Sequence, residues 1–180
     1  MKDKLLEKAK HEYNPKQRFV ALLVEAIFFM AIFPFVLIAL GESLNQWLQW
    51  SPILYKAINL ILGWLLIVAG WLFSMWSIYT QFTIGRGTPV PLMATQKLIV
   101  QPPYTYCRNP MSLGAIVMYL GVAILFGSIG SGVLVLFGAG WLLTYIKRIE
   151  EKEMEIRFGQ EYLEYKQRTP FLIPRFWNRD

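Results

Sequence analysis

The chain has 180 residues, of which 55% are hydrophobic, 16% aromatic and 17% charged, with a mean hydropathy of +0.37. Soluble domains carry about 45–50% apolar and about 25% charged residues, so this composition excludes a disordered chain, a collagen-like chain and an ordinary soluble domain. The net charge is +6, and the lone Cys107 and lone His11 exclude an internal disulfide, a cysteine-based zinc cluster and a Ser-His-Asp triad in the core, so no metal site is expected.

Residues 1–14 contain Lys4, Leu5, Leu6, Lys8, Ala9 and Lys10, a pattern that predicts a short basic helix on the membrane surface. A bilayer span needs about 20 mostly apolar residues. Residues 19–40 supply the first, 22 residues with Glu25 as their one charge. An ionisable residue inside a span suggests function, although Glu25 is close enough to Lys16 and Arg18 to pair with them or to snorkel. Ala39-Leu40-Gly41 resembles a signal cleavage site, but a signal core runs only about 7–15 residues, so an uncleaved span is expected. Residues 42–56, with Trp47, Leu48, Trp50 and Leu54, are expected to lie in the outer interface.

The second span is 57–79, 23 residues without a charge. The loop 80–110 is rich in Gly and Pro (Gly85, Gly87, Pro89, Pro91, Pro102, Pro103), which predicts a stiff wall suited to a binding site. Residues 111–146 follow, 36 in a row with no charge. At 1.5 Å per residue one helix of that length would measure about 54 Å, too long for one crossing. The run Gly127-Ser128-Ile129-Gly130-Ser131-Gly132 predicts a turn, hence a tight hairpin of two helices. A polar helix is expected from Lys147 to about Lys166, with Pro170 and Pro174 holding the end extended.

The expected fold is thus an all-α integral membrane protein with four spans, the last two a hairpin, and a cytoplasmic C-terminal helix. It forms one membrane domain over 1–180, with an N-terminal part at 1–80 and a binding region at 81–175. Of eighteen Lys and Arg residues, only Lys56 falls on the far side of such a bundle. The positive-inside rule then puts both termini in the cytoplasm. It also accounts for the basic balance without nucleic acid.

Two clusters could carry chemistry. Asn109-Pro110 is a good cap and first position for the third span, and Arg108 beside it is either an interfacial anchor or a ligand for a carboxylate at the helix N-terminus. Glu150 and Glu151 follow the last span. They are either part of a solvated helix, with Lys147–Glu151 and Glu153–Arg157 as i,i+4 pairs, or inward-facing carboxylates. The stiff loop, Arg108 and the Glu pair share one boundary, which outlines a site for a polar, zwitterionic molecule.

The run Tyr104-x-Tyr106-x-Arg108-Asn109-Pro110-Met111-x-x-Gly114, then Glu150-Glu151, then Phe158-Gly159-x-Glu161-Tyr162-x-x-Tyr165-x-x-Arg168-x-Pro170 resembles the isoprenylcysteine carboxyl methyltransferase family and its bacterial relatives. Phospholipid methyltransferases are more distant kin. Gly85-x-Gly87-Thr88-Pro89-x-Pro91 also matches bacterial members, and the likeness covers residues 83–175. It implies an integral membrane enzyme of a bacterial inner membrane that uses S-adenosylmethionine and takes a lipophilic or lipidated substrate from the bilayer. By the same likeness Arg108, Asn109, Pro110 and Gly114 stand in a cofactor motif. Glu150 and Glu151 stand in a paired-Glu motif, and Arg168 stands near the substrate end.

Three positions depart from the family pattern: Asn109 for His, Ser112 for Tyr and Pro102 for Gly. Asn109 can cap and hydrogen bond but cannot act as a base near neutral pH. On this reading Arg108 binds the cofactor carboxylate, a Glu of the pair binds the ribose or amino group, and Tyr104 and Tyr106 face the sulfonium. Two other readings remain: an NADPH-dependent reductase of the sterol reductase type, and a non-catalytic membrane protein that binds lipid or a partner.

Overall fold

A computed structural model describes residues 14–53, 55–85 and 95–175. The expected basic surface helix at 1–14 and the Gly87–Pro91 motif lie outside the described residues, apart from Asn14. All regular structure among the described residues is helical.

Helix α1 (Pro15–Ile27) starts at Asn14, whose side chain accepts from the Lys16 amide while Gln17 reaches back to the Asn14 amide. It runs through a π-helical stretch, Phe28–Ile32, into α2 (Phe33–Leu48). The stretch has a cause in the sequence. Pro34 has no N–H, and its ring cannot sit on a regular preceding turn. The wider turn accommodates it, and Phe33 N–H donates to Phe28 O, five residues back. Continuing that register would pair Pro34 with Phe29, whose carbonyl instead accepts the Tyr119 hydroxyl at 2.8 Å.

Lys16–Leu48 is therefore one apolar helical run of 33 residues, longer than the expected 19–40. Trp47 and Leu48, expected in an interfacial loop, are the last helical turn. Gln49, at φ 54°, ends it, and the Trp50 amide closes back on Asn45 O. Helix α3 (Lys56–Thr83) is the second span, 28 residues long.

Helices α4 (Pro110–Leu125) and α5 (Ile129–Tyr145) are joined by three residues rather than the expected six. Gly127 takes the left-handed φ of +63°, where a residue without Cβ is favoured. Ser128 caps α5 by accepting from the Ser131 amide, and Asn45 Oδ1 takes the Gly130 amide at 2.7 Å. Those caps draw Gly130 and Gly132 into the helix.

After Tyr145 the helix widens at Ile146–Glu150, where the Glu151 amide donates to Ile146 O, and continues as α6 (Glu151–Phe158). The run Ile129–Phe158 has 30 residues, enough to cross a bilayer. Helix α4 has 16 and is the short member. The expected polar helix is split. Gly159, at φ 54°, turns the chain into α7 (Gln160–Arg168).

Helix α4 packs chiefly on α3, and α5 on α2. The α3–α4 contact is nearly backbone on backbone. A Cβ on Gly114 would lie 2.6 Å from Gly70 O, and one on Gly121 would lie 2.8 Å from Gly63 O. Small residues at such a seam are how membrane helices gain packing without a hydrophobic drive. Leu37, Met118, Tyr119 and Val135 form the buried core between the helix pairs, with the Phe33 ring 4.8 Å from Tyr119. Three long apolar helices with exposed apolar flanks, and a fourth short apolar one packed among them, describe an integral membrane protein.

Candidate active site

The segment between α3 and α4 has no regular structure, but it is tied down. Tyr104 N–H donates to Gln101 O and Tyr106 N–H to Pro103 O, while the Thr105 hydroxyl donates to Val100 O at 2.6 Å. The C-terminal segment then folds over it. The Tyr165 hydroxyl donates to Tyr104 O at 2.7 Å, Arg108 N–H to Pro170 O at 2.9 Å, and Arg175 N–H to Tyr106 O at 3.0 Å. The Asn109 amide donates to Phe171 O at 2.9 Å. Asn109 is thus spent on the strap and does not cap α4 with its side chain.

Arg108 sits at the crossing of these elements. Its Nε and Nη2 donate to Glu151 Oε1 at 3.1 and 2.7 Å, and Nη1 donates to the carbonyls of Lys166 and Thr169 at 2.8 and 2.6 Å. Glu151 Oε2 takes Lys166 Nζ at 2.7 Å, and Lys166 also reaches Glu155 at 2.9 Å. The Arg108–Glu151 pair is 10% and 4% exposed. Buried at that level, it needs each of these partners. The two hydrogen bonds from Lys166 to Glu151 and Glu155 hold its ammonium above the usual lysine value.

Between these elements is a cavity of about 160 Å³. One wall is the start of α4, from Arg108 to Ser112. The opposite wall is Ile146, Glu150, Glu151 and Met154. The π-helical turn Ile146–Glu150 lies in this wall, and both glutamates line the cavity. Gln81, Thr95, Leu98 and Ile99 line a third side, and Tyr104, Tyr162 and Tyr165 a fourth. Burial, then the Glu151 carboxylate, pushes the Tyr162 phenol up to about 12. Burial raises Tyr104 and Tyr165 as well. All three remain neutral near pH 7, so they offer ring faces and neutral hydroxyls but no base.

Of the residues singled out from the sequence, Tyr104, Arg108, Asn109, Pro110, Glu150 and Glu151 line this cavity. Tyr106, Gly114 and Arg168 do not. Tyr106 packs edge-on against Trp76 at 6.1 Å, Gly114 is pressed against α3, and Arg168 is exposed at the end of α7. The structure also separates the two glutamates. Glu151 is fully engaged by Arg108 and Lys166. Glu150 lines the cavity and accepts no hydrogen bond from the described residues. Sequence reasoning missed Tyr162 and Tyr165 as lining residues, although their i,i+3 spacing within the tail motif signalled one helix face. Gln81 and Met154 carried no signal. Among the described residues no group of three His, Cys, Asp or Glu could hold a metal ion.

The fold and the cavity define a helical integral membrane protein with a polar site at one end of its spans. A model of the phospholipid methyltransferase family matches residues 58–161, more than half of the chain, and the chain belongs to that family. Methanethiol S-methyltransferase 2 of Bradyrhizobium diazoefficiens is 24% identical over 148 residues, 73% of this chain. The chain spans about half (54%) of that relative's length. The membrane methyltransferase family expected from the motifs at 104–114, 150–151 and 158–170 is therefore the family found.

Proposed function

We propose that the chain is an S-adenosylmethionine-dependent methyltransferase whose cavity opens toward the cytoplasm and whose acceptor is lipophilic, carried to the site from the bilayer. One observation carries this reading: a carboxylate, Glu150, lines a cavity walled by neutral aromatic rings and a helix N-terminus, and it accepts no hydrogen bond from the described residues. A zwitterionic, aromatic, cationic molecule suits that lining. Glu150 would take its ammonium or ribose hydroxyls, and the rings of Tyr104, Tyr162 and Tyr165 would face adenine or sulfonium. When bound, S-adenosylmethionine supplies an electrophilic methyl group on sulfur.

The chain's own contribution is to position and to exclude water. The strap 169–175 and the Arg108–Glu151–Lys166 network hold α7 over the site, and Leu98, Ile99, Ile146 and Met154 keep it apolar on the acceptor side. No histidine is present among the described residues, and the phenols are held protonated. That favours an acceptor that reacts as an anion without losing a proton to the protein: a carboxylate or a thiolate. The likeness to a methanethiol S-methyltransferase favours the thiolate, and an isoprenylcysteine-like carboxylate is the second acceptor to try. The charge distribution supports both termini in the cytoplasm of a bacterial inner membrane.

The test is calorimetric titration of detergent-solubilised protein with S-adenosylhomocysteine, with NADPH in parallel. Micromolar binding of the first alone supports the methyltransferase. Binding of NADPH alone supports a reductase. Binding of neither by folded protein leaves a non-catalytic member of the family.

A further inference from the structure

Arg157 is a buried cation near the end of α6, just beyond the cavity wall. Its spacing from Glu153 suits a solvated i,i+4 pair, yet its side chain is only 7% exposed. Glu153 accepts from it at 3.5 Å, the long limit of a hydrogen bond. The guanidinium stands 5.0 Å over the Phe158 ring, and Nη2 donates to the carbonyl of Thr95, 62 residues earlier in the chain. Burying a guanidinium is costly unless it is bonded where it lies. Here the bond goes to the main chain of the segment that walls the cavity opposite α6.

That segment has a second anchor at the same place. The Gln96 amide donates to Gly85 O at 2.6 Å, and a Cβ on Gly85 would lie 2.7 Å from Ile99 Cδ1 and 3.1 Å from Thr95 Cγ2. Residues 95–96 are thus held on one side by the end of α3 and on the other by α6. Along α6, Glu150, Met154 and Arg157 follow at i, i+4 and i+7, one helix face. Glu150 and Met154 line the cavity, as do Thr95, Leu98 and Ile99 across from them. The bond from Arg157 to Thr95 joins the two walls at the end of α6 remote from α5.

We propose that Arg157 is a specificity-determining positioning residue for the methyl acceptor. Its bond to Thr95 fixes the distance between Met154 and the pair Leu98 and Ile99, the apolar side of the cavity. This rests on the methyltransferase reading above. An apolar wall discriminates between acceptors by how many methylenes it can cover, and it does so only while its shape is held. Arg157 does not line the cavity, so it acts through the segment it pins.

The test uses the full chain in detergent. Cys107 is the one cysteine of the protein and is fully buried, so a cysteine placed at the half-buried Leu98 reports alone. Arg157→Met keeps an apolar stem beside Phe158 and removes every donor, and Arg157→Gln is a second variant, too short to reach Thr95. In both, alkylation of Leu98→Cys by a water-soluble maleimide should speed up about tenfold, the scale of one charge-assisted hydrogen bond lost from a local opening equilibrium. Arg157→Lys, which keeps the charge and a donor, should restore most of the protection. With Leu98 in place, kcat/KM for hexanethiol and for ethanethiol is read with radiolabelled S-adenosylmethionine. The ratio of the two should move several-fold toward unity in Arg157→Met and Arg157→Gln, while S-adenosylhomocysteine affinity by calorimetry stays within about twofold of the parent. Parental alkylation rates in both variants overturn the bridge. An unchanged thiol ratio, or cofactor affinity lost in step with it, overturns the specificity role. A parent that binds S-adenosylhomocysteine but methylates neither thiol overturns it as well. A parent that does not bind S-adenosylhomocysteine fails the methyltransferase reading, and the specificity role falls with it, while the alkylation rates still decide the bridge.

Discussion

Arg108 donates from Nε and Nη2 to a single oxygen of Glu151, and Lys166 occupies the other oxygen at 2.7 Å. This contact separates two adjacent glutamates that are equivalent on paper. Glu151 has both oxygens engaged by cations of the protein, while Glu150, one residue earlier, faces the cavity with none.

The two glutamates should therefore fail in different ways. Glu151→Gln removes one partner of a buried ion pair, a change that costs about 3–5 kcal/mol, and should lower the melting temperature of the detergent-solubilised protein markedly. Arg108→Ala should do the same. Glu150→Gln should melt near the parent yet bind S-adenosylhomocysteine at least about tenfold more weakly, or ~1.4 kcal/mol. Paired thermal unfolding and calorimetry of the three variants check this. A large melting shift for Glu150→Gln, or none for Glu151→Gln, reverses the assignment.

The Pro34–Phe29–Tyr119 arrangement yields a coupling. The Tyr119 hydroxyl serves the Phe29 carbonyl, to which Pro34 cannot donate. Tyr119→Phe should destabilise by about 0.6 to 1.7 kcal/mol, the range for hydrogen bonds between membrane helices. In a Pro34→Ala background the chain has an N–H for that carbonyl, so the same substitution should cost less. A double-mutant cycle read by unfolding in mixed micelles measures the difference. Equal costs in both backgrounds show that the hydroxyl does not stand in for the missing amide.

Glycines divide sharply by what faces them. A Cβ on Gly114 would sit 2.6 Å from Gly70 O, whereas one on Gly138 meets nothing within 4 Å. Gly114→Leu should overpack the α3–α4 seam by at least the ~1–3 kcal/mol of crowded cores and displace the start of α4. Gly138→Leu should leave folding unchanged. Yield of monodisperse protein and melting temperature distinguish them, and a well-folded Gly114→Leu with parental stability refutes the close seam.

Much of this was legible in the sequence because it depends on composition and on local chemistry. The apolar runs located the spans, and the stop in α2 and the starts of α4 and α5 fall close to polar or turn-forming residues. The six cavity-lining residues foreseen come from two short motifs that each occupy one helix end. What escaped is non-local. Nothing near Arg108 in the chain reveals that Glu151, 43 residues on, and the carbonyls near Lys166 and Thr169 consume its donors. The π-helical turns were hidden as well. Pro34 signalled a perturbation of the first, while the second, at Ile146–Glu150, has neither proline nor glycine to mark it. That turn lies in the cavity wall, directly before Glu151. The six-residue turn foreseen between the last two spans shrank to three because Asn45, 85 residues before Gly130, caps the helix from a different element.

The site also has a pH signature on the alkaline side. Tyr162 is pushed from 10.0 up to about 12, first by burial and then by the Glu151 carboxylate, and burial raises Cys107 from 9.0 to about 11. Lys166 is raised by its bonds to Glu151 and Glu155. Each is a group that the folded state keeps protonated after the unfolded chain has lost the proton. The native state then binds more protons than the unfolded one, and stability falls as pH rises. The stabilising contribution of Cys107 is complete below about pH 9 and drains away up to about 11. That of Tyr162 is complete below about pH 10 and drains up to about 12. Lys166 acts in the same direction from its ordinary value of 10.5 upward. Melting temperature should accordingly be flat from neutral pH to about 9 and then decline steeply. Tyr162→Phe and Cys107→Ser should each make that decline shallower, because each removes one titrating group. A profile of melting temperature from pH 7 to 11 for the three proteins measures this. Parallel slopes in all three would show that these buried groups titrate alike in the folded and unfolded chains.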